Sequence, residues 1–552
     1  MTDGEENGKP DIDSVMEDLI AAQVVVNTIA LGSDADDKLE EVALRTGGKP
    51  FALRDGESSV PVAIESAFLD SALALLDESK RPIVIFDQEA RVAGVEMFPI
   101  LVDSALGKET AVVLQSNETS ELTAYVLYPD YNKCEECVAS EPAVSGKYVT
   151  FKIPGVAMPG SWTLVVKRRP PRRDVRVHVR ATSRAKGPDE TPVTVRAFLK
   201  RTEVSRASEA AVYAEVGKGE QFVLHAKVTA SVTRPNGGEA VEMELFDNGL
   251  GADVTANDGI YSDYFTRFDG VGRYSVSTRV VSGNNTVIVE GRQASGGLPA
   301  PQLSAPPSGE TSESTGEVNG VLLDRFVYVD QDIEEAEPRA LRTKMAPEFA
   351  RYAEGGSFRL TRSIDSSTIP PDSIEDLKVE DAYVDENGTH VVILTWTCPG
   401  AHMDTDNASQ VELRGSIRFA DVTRNFDSAF AVPEGQVVDG KIPAGAVGTM
   451  QRLRFRLPDA LLSAAKNDSR HDFYFAARVW NVDKLSSPVS NVARVTFERP
   501  PLHAKSSVNG TPWWVIVFSV LAAVFGVVAL FVVARKIARW RKRGDSVSSF
   551  YG

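Results

Sequence analysis

Cysteine is scarce in this chain of 552 residues: there are three, Cys134, Cys137 and Cys398. That number excludes a fold stapled by many disulfides. Cys134 and Cys137 form a lone CxxC, half of a zinc site with no second half, so a small local disulfide or two plain thiols is the better reading. Cys398 is left over. Histidine is almost as sparse, with six residues: His178, His225, His390, His402, His471 and His503. None forms HExxH and none lies near the CxxC, and GxSxG, P-loop and GxGxxG segments are missing too. No catalytic residue is therefore assigned, and the chain is read as having no enzymatic activity. Basic residues are outnumbered, 60 Lys and Arg against 77 Asp and Glu, for a net charge of −17. Such a balance argues against a general nucleic-acid binder, which needs a concentrated basic surface. The first residues, Met1-Thr-Asp-Gly-Glu-Glu6, offer neither a basic nor an apolar region, so no signal peptide is expected there.

Charge is also missing from one long stretch, and this is the strongest positive signal. Trp513 to Ala534 is 22 residues without an ionisable group. At 1.5 Å rise per residue it spans about 33 Å, against a bilayer core of about 30 Å. Trp513 and Trp514 stand at one end as interfacial aromatics. Arg535, Lys536, Arg539, Arg541, Lys542 and Arg543 follow the other end. The positive-inside rule then predicts a single-pass type I protein, with residues 535–552 as a basic cytoplasmic tail and everything before Trp513 outside; the expected location is the plasma membrane. The membrane is thus the first predicted partner. Sequons at Asn117, Asn284, Asn387, Asn407, Asn467 and Asn509 all fall on the expected outside. Asn509 is close to the membrane and near Pro512, so the first five are the candidate glycosylation sites.

The rest reads as a mainly β multidomain chain. Residues 1–80 alternate helix and strand: helix over Asp11–Ala22, an apolar strand over Val24–Leu31, helix over Asp36–Arg45, a strand over Pro50–Leu53, helix over Pro61–Leu76. This is half of a doubly wound α/β domain. Residues 81–185 turn to short strands broken by Gly and Pro, as in an antiparallel sandwich, interrupted by Arg168-Arg-Pro-Pro-Arg-Arg173. Residues 190–295 predict a second, Ig-like sandwich. Residues 296–365 read as a linker, with Gly297–Gly320 rich enough in Pro, Ser, Gly and Thr to be disordered. Residues 366–498 give a third strand-rich domain. Trp396 takes the place of a sandwich's core tryptophan, and Tyr474 that of a late-strand tyrosine making a corner hydrogen bond. This domain is similar to fibronectin type III.

One loop gathers acids. Between Leu245 and Tyr264, Asp247, Asp253, Asp258 and Asp263 sit among three glycines. Closely spaced carboxylates with glycine turns are able to cage calcium, and the first three are the candidate ligands. The spacing is not that of an EF-hand, and tight turns using Asp, Asn and Gly for their backbone freedom account for the same residues.

The order of these pieces carries a resemblance. Met1-Thr-Asp-Gly-Glu-Glu-Asn7, Val26-Asn-Thr-Ile-Ala-Leu-Gly32 and Leu39-Glu-Glu-Val-Ala-Leu-Arg-Thr-Gly-Gly48 resemble the second half of a von Willebrand factor A domain. Together with Leu245-Phe-Asp-Asn-Gly-Leu-Gly-Ala-Asp253, Asn257-Asp-Gly-Ile-Tyr-Ser262 and Leu394-Thr-Trp-Thr-Cys-Pro-Gly400, they make the chain resemble the calcium-activated chloride channel regulator family from residue 1 to about 498. The resemblance implies a secretory-pathway glycoprotein that raises calcium-activated chloride current through an anoctamin-type channel. An adhesion receptor for an extracellular ligand is the alternative. It also implies an N-terminal zinc metalloprotease domain and a complete metal site, which this sequence does not contain. Asp3 matches only the last carboxylate of that site, and one carboxylate cannot hold magnesium or calcium. No cofactor is therefore expected in this chain beyond calcium in the 247–263 loop, and Met1 is expected to be an internal methionine of a longer protein.

Overall fold

A computed structural model describes residues 2, 4–6, 9–53, 68, 81–140, 148–169, 174–290, 342–440, 445–464, 470–498 and 513–544. Asp3, the Pro61–Leu76 helix apart from Phe68, Gly297–Gly320, Asn467, Asn509 and residues 545–552 lie outside the described residues. The chain is mainly β. Its C-terminal segment, residues 465–472 with 496–552, forms a unit separate from the rest.

The N-terminal α/β piece matches the periodicity closely. Helix α1 (Ile12–Ala21) starts where the Asp11 carboxylate accepts from the Ser14 amide at 2.9 Å. Helix α2 (Leu39–Arg45) buries Leu39, Val42 and Ala43. Thr28–Leu31 pairs in parallel with Pro50–Leu53. The first strand is shorter than the apolar run suggested: Val24 and Val25 are 41% and 60% exposed and lie ahead of it.

The first sandwich stacks Ile83–Val92, Val175–Ala185, Leu106–Gln115 and Tyr148–Lys152 on Val95–Val102, Gly160–Arg168 and Leu122–Leu127. Two of these strands show how this segment reads. Val175–Ala185 alternates buried Val175, Val177, Val179 and Ala181 with polar residues. Val95–Val102 contains Pro99 and lies at a sheet edge, where a strand tolerates proline. Cys134 and Cys137 are joined as a disulfide packed into this core beside Trp162.

The second sandwich overturns the linker boundary. Arg342–Met345 pairs with Val287–Glu290, and Ala350–Leu360 pairs along Gly272–Val281, so both sheets take a strand from within residues 296–365. Phe349, Phe358 and Leu360 are fully buried in its core. The strand was hidden because Gly355-Gly356 and a register shift opposite Val276 and Ser277 break its alternation, and because charged Arg351 points inward.

The third sandwich sets Lys378–Val384, His390–Thr397, Met450–Arg456 and Val437–Asp439 against Phe430–Ala431, Gln410–Ser416, Arg470–Trp480 and Ala493–Glu498. Trp396 is 1% exposed in its core. Tyr474 departs from expectation. Its ring meets Phe419 edge-on at 5.8 Å, and its hydroxyl makes no hydrogen bond among the described residues.

Buried ion pairs join the first three pieces. Arg273 reaches from the second sandwich to Glu40 of α2 (2.6 Å) and to the Ala35 and Asp36 carbonyls. Arg351 reaches from the same sandwich to Asp103 of the first (2.7 Å) and to the Val193 carbonyl. Separately, Trp513–Gly544 is one 32-residue helix, long and apolar enough to cross a membrane.

Candidate metal centre

Val241–Leu245 leads into the acidic loop and Ile260–Tyr264 leads out. The neck is closed by a two-way backbone bridge between Phe246 and Ser262. Inside the loop the aspartates fold the backbone around themselves. Asp247 accepts from the Asp258 amide at 3.2 Å and the Gly259 amide at 3.0 Å. Asp253 accepts from the amides of Gly249 at 2.6 Å and Thr255 at 3.1 Å. Asp258 accepts from the Ile260 amide at 2.9 Å, and Asn248 from the Leu250 amide at 3.0 Å. Turn formation thus accounts for the residue types, as one of the two sequence readings held.

The same folding brings Asp247, Asp253 and Asp258 together, with one carboxylate oxygen of each within 4.8 Å of the others. Burial pushes the Asp247 carboxyl up to about 6, helped by the charges of Asp253 and Asp258 and opposed by its amide hydrogen bonds. Burial likewise raises Asp253, which Asp258 raises further. Three crowded, half-buried carboxylates favour a positive charge among them. Their hard oxygens suit calcium, for which they supply part of a shell of six to eight ligands.

Asp263 does not join this group. Its carboxylate accepts from the Tyr264 amide at 2.7 Å, and it interacts with the carboxyl of Asp404 in the third sandwich. Asp404 and nearby Asp372 carried no sequence signal, because only the fold brings the 400–407 loop to this place.

Asn117, Asn284, Asn387 and Asn407 are exposed, the first three in turns, where a glycan has room. The Asn407 side-chain oxygen accepts from the Val447 amide at 3.0 Å, which leaves the amide nitrogen free to carry one. Next to Asp3, Thr2 bridges to Ala30.

Residues 181–295 match the family model of the second Ig-like domain of conditioned medium factor. Calcium-activated chloride channel regulator 1 of Bos taurus is 28% identical over 503 residues, which cover 90% of this chain and 50% of that protein. Calcium-activated chloride channel regulator 4 of Homo sapiens is 29% identical over 517 residues, covering 91% and 50%. The chain therefore spans about half the length of the curated relatives it matches. Among solved structures, a DUF4785 family protein of Legionella pneumophila covers 78% of this chain and 94% of its own at 9% identity and a TM-score of 0.24. The FN1–FN3 domains of chicken CNTN1 cover 75% and 100% at 8% identity and 0.15. Scores this low carry no argument about the fold. The sequence similarity extends over nine-tenths of the chain and agrees with the motifs: the chain is similar to the calcium-activated chloride channel regulators.

Proposed function

We propose that this chain is the membrane-proximal part of a cell-surface glycoprotein that regulates calcium-activated chloride conductance through contact with a channel. The observation that carries the reading is similarity over about 90% of the chain to proteins named as such regulators. The Trp513–Gly544 helix, with Arg535, Lys536 and Arg539 at its C-terminal end, supports a single-pass anchor with the sandwiches outside. In this reading residues 1–80 belong to a von Willebrand A domain and residues 366–498 to a fibronectin type III domain. The chain itself performs no catalysis. Asp247, Asp253 and Asp258 hold calcium and brace the loop of the second sandwich.

A pore is the weaker reading, since one helix without an ionisable residue from Trp513 to Ala534 offers nothing to select an anion. The test is whole-cell chloride current at clamped internal calcium. Cells would express this chain, or the chain extended upstream to the start of its transcript. Larger current with the extended form supports the proposal. Unchanged current with both forms at the surface sinks it and favours adhesion to an extracellular ligand.

A further inference from the structure

The three junctions of the second sandwich are not built alike. Toward the α/β piece and toward the first sandwich, opposite charges meet: Arg273 with Glu40, and Arg351 with Asp103. Toward the third sandwich, a carboxyl meets a carboxyl.

An apolar seam makes the contact there. Tyr213, Ala252 and Tyr264 of the second sandwich pack with Ile369 and Met403 of the third. Met403 adopts a left-handed backbone (φ 57°), and its amide donates to the Pro370 carbonyl at 2.8 Å. This turn delivers Asp404 against the acidic loop. Gly251, itself left-handed at φ 60°, lies so close that a Cβ there would collide with the Asp404 Oδ2. The charge of Asp263 bears on Asp404, and the Asp404 Oδ1 is buried with no hydrogen-bond partner among the described residues.

Two carboxylates cannot hydrogen-bond unless one keeps its proton. We propose that the contact between the second and third sandwiches is a proton-operated latch, closed when Asp263 and Asp404 share a proton and loosened when both ionise.

The surrounding charges agree. Burial raises Asp263 to about 6, against the pull of Asp404 as donor and of Arg267. Burial and the Asp263 charge hold Asp404 well above the usual carboxylate range. Asp372, from the third sandwich, is raised to about 6 by burial and by Asp404 and Glu375, while Lys200 opposes this. Tyr264 and Tyr213 complete the wall on the side of the second sandwich. His402 lies two residues from Asp404 and is engaged with Asp406 and Asp483. Burial and a like charge therefore both favour the protonated state. A cation is the other way to neutralise such a pair. Two carboxylates are a small fraction of a calcium shell, and among the described residues the only group of three converging acids is Asp247, Asp253 and Asp258.

The sign follows from the raised pKa values. Below about pH 4 the acids are protonated whether the junction is closed or open. Between about 4 and 6 the open form ionises first, and the closed form loses its advantage. Raising the pH opens the junction.

The experiment is hydrogen exchange on the full chain in detergent at pH 5 and pH 7.5, corrected for intrinsic rates. It reads the amides of residues 400–406, on the side of the third sandwich and outside the acidic loop. Protection should be at least about tenfold higher at pH 5, since one unit of pKa shift is a factor of ten. Asp404→Asn supplies a permanent donor to Asp263, and should keep high protection at pH 7.5 and lose the pH dependence. Asp263→Asn should do the same by donating to Asp404. Wild-type pH dependence in both variants overturns the latch. So does its loss in Asp247→Asn alone, which would assign it to the acidic loop. So does calcium restoring protection at pH 7.5 in Asp247→Asn, where the loop's own carboxylate group is broken, which would make the pair a cation site.

Discussion

Asp247 shows how one side chain serves a turn and a charge at once. It accepts two backbone amides that close the loop, and it sits with two other acids in a half-buried space. Its carboxyl, raised to about 6, stabilises the folded loop less once ionised. Without a metal, the loop should therefore lose stability as the pH rises from about 4 to about 6 and stay weaker above. Calcium should reverse that loss at pH 7.5. The check is a calcium titration followed by melting temperature, with Asp258→Asn removing most of the gain. A calcium response identical in that variant would leave the three carboxylates as turn formers alone. Trp396 makes the opposite case, a residue whose role was legible in advance. Its place in a strand-rich segment predicted a core tryptophan, and it is 1% exposed. Trp396→Ala should cost about 3–5 kcal/mol, read as an earlier unfolding transition of the third sandwich in calorimetry.

Among the elements, those with unbroken periodicity were the readable ones. Helices α1 and α2 and the strand Pro50–Leu53 follow their apolar spacing. The strand Ala350–Leu360 could not be read, since its sheet partner Gly272–Val281 lies across the whole 291–341 stretch and its inward side includes an arginine. Arg351 is 1% exposed, and burial pulls its guanidinium below the usual range while Asp103 holds it up. Such a pair is costly to break from one side, because the remaining charge stays buried. Arg351→Ala should therefore destabilise by about 3–5 kcal/mol. Arg351→Met combined with Asp103→Leu should cost much less, since neither charge is then left alone. Equal losses in urea unfolding of the single and double variants would show that packing, not charge, holds this junction.

For the whole molecule, the turn from an α/β start to strand-rich segments was visible in the sequence and the attachments between them were not. Strand and helix patterns are local, whereas each junction pairs residues far apart in the chain: Glu40 with Arg273, Asp103 with Arg351, Asp263 with Asp404. The acidic loop illustrates the limit. Its own residues announced it, and nothing in them pointed to Asp404 or Asp372. The N-terminal piece shows what such attachments do. Its described core is small, with Ala30, Ala35, Leu39 and Ala52 in one cluster and Ile29 with Phe51 in another. Two paired strands and two helices with so little buried apolar area are marginal on their own. Docking on the second sandwich adds the buried Glu40–Arg273 pair, the Arg359–Asp37 pair at 2.6 Å, a Lys49 bond to the Glu354 carbonyl at 2.7 Å and a Ser275 bond to the Ala52 carbonyl at 2.6 Å. Arg273→Ala strands Glu40, which is fully buried, without its cation and frees two carbonyls. The N-terminal 53 residues should then open to protease well before the second sandwich does, while that sandwich keeps its own melting transition. Limited proteolysis with mass spectrometry reads the order of cuts. Cleavage starting instead within the second sandwich would mean that Arg273 supports its own domain rather than the attachment.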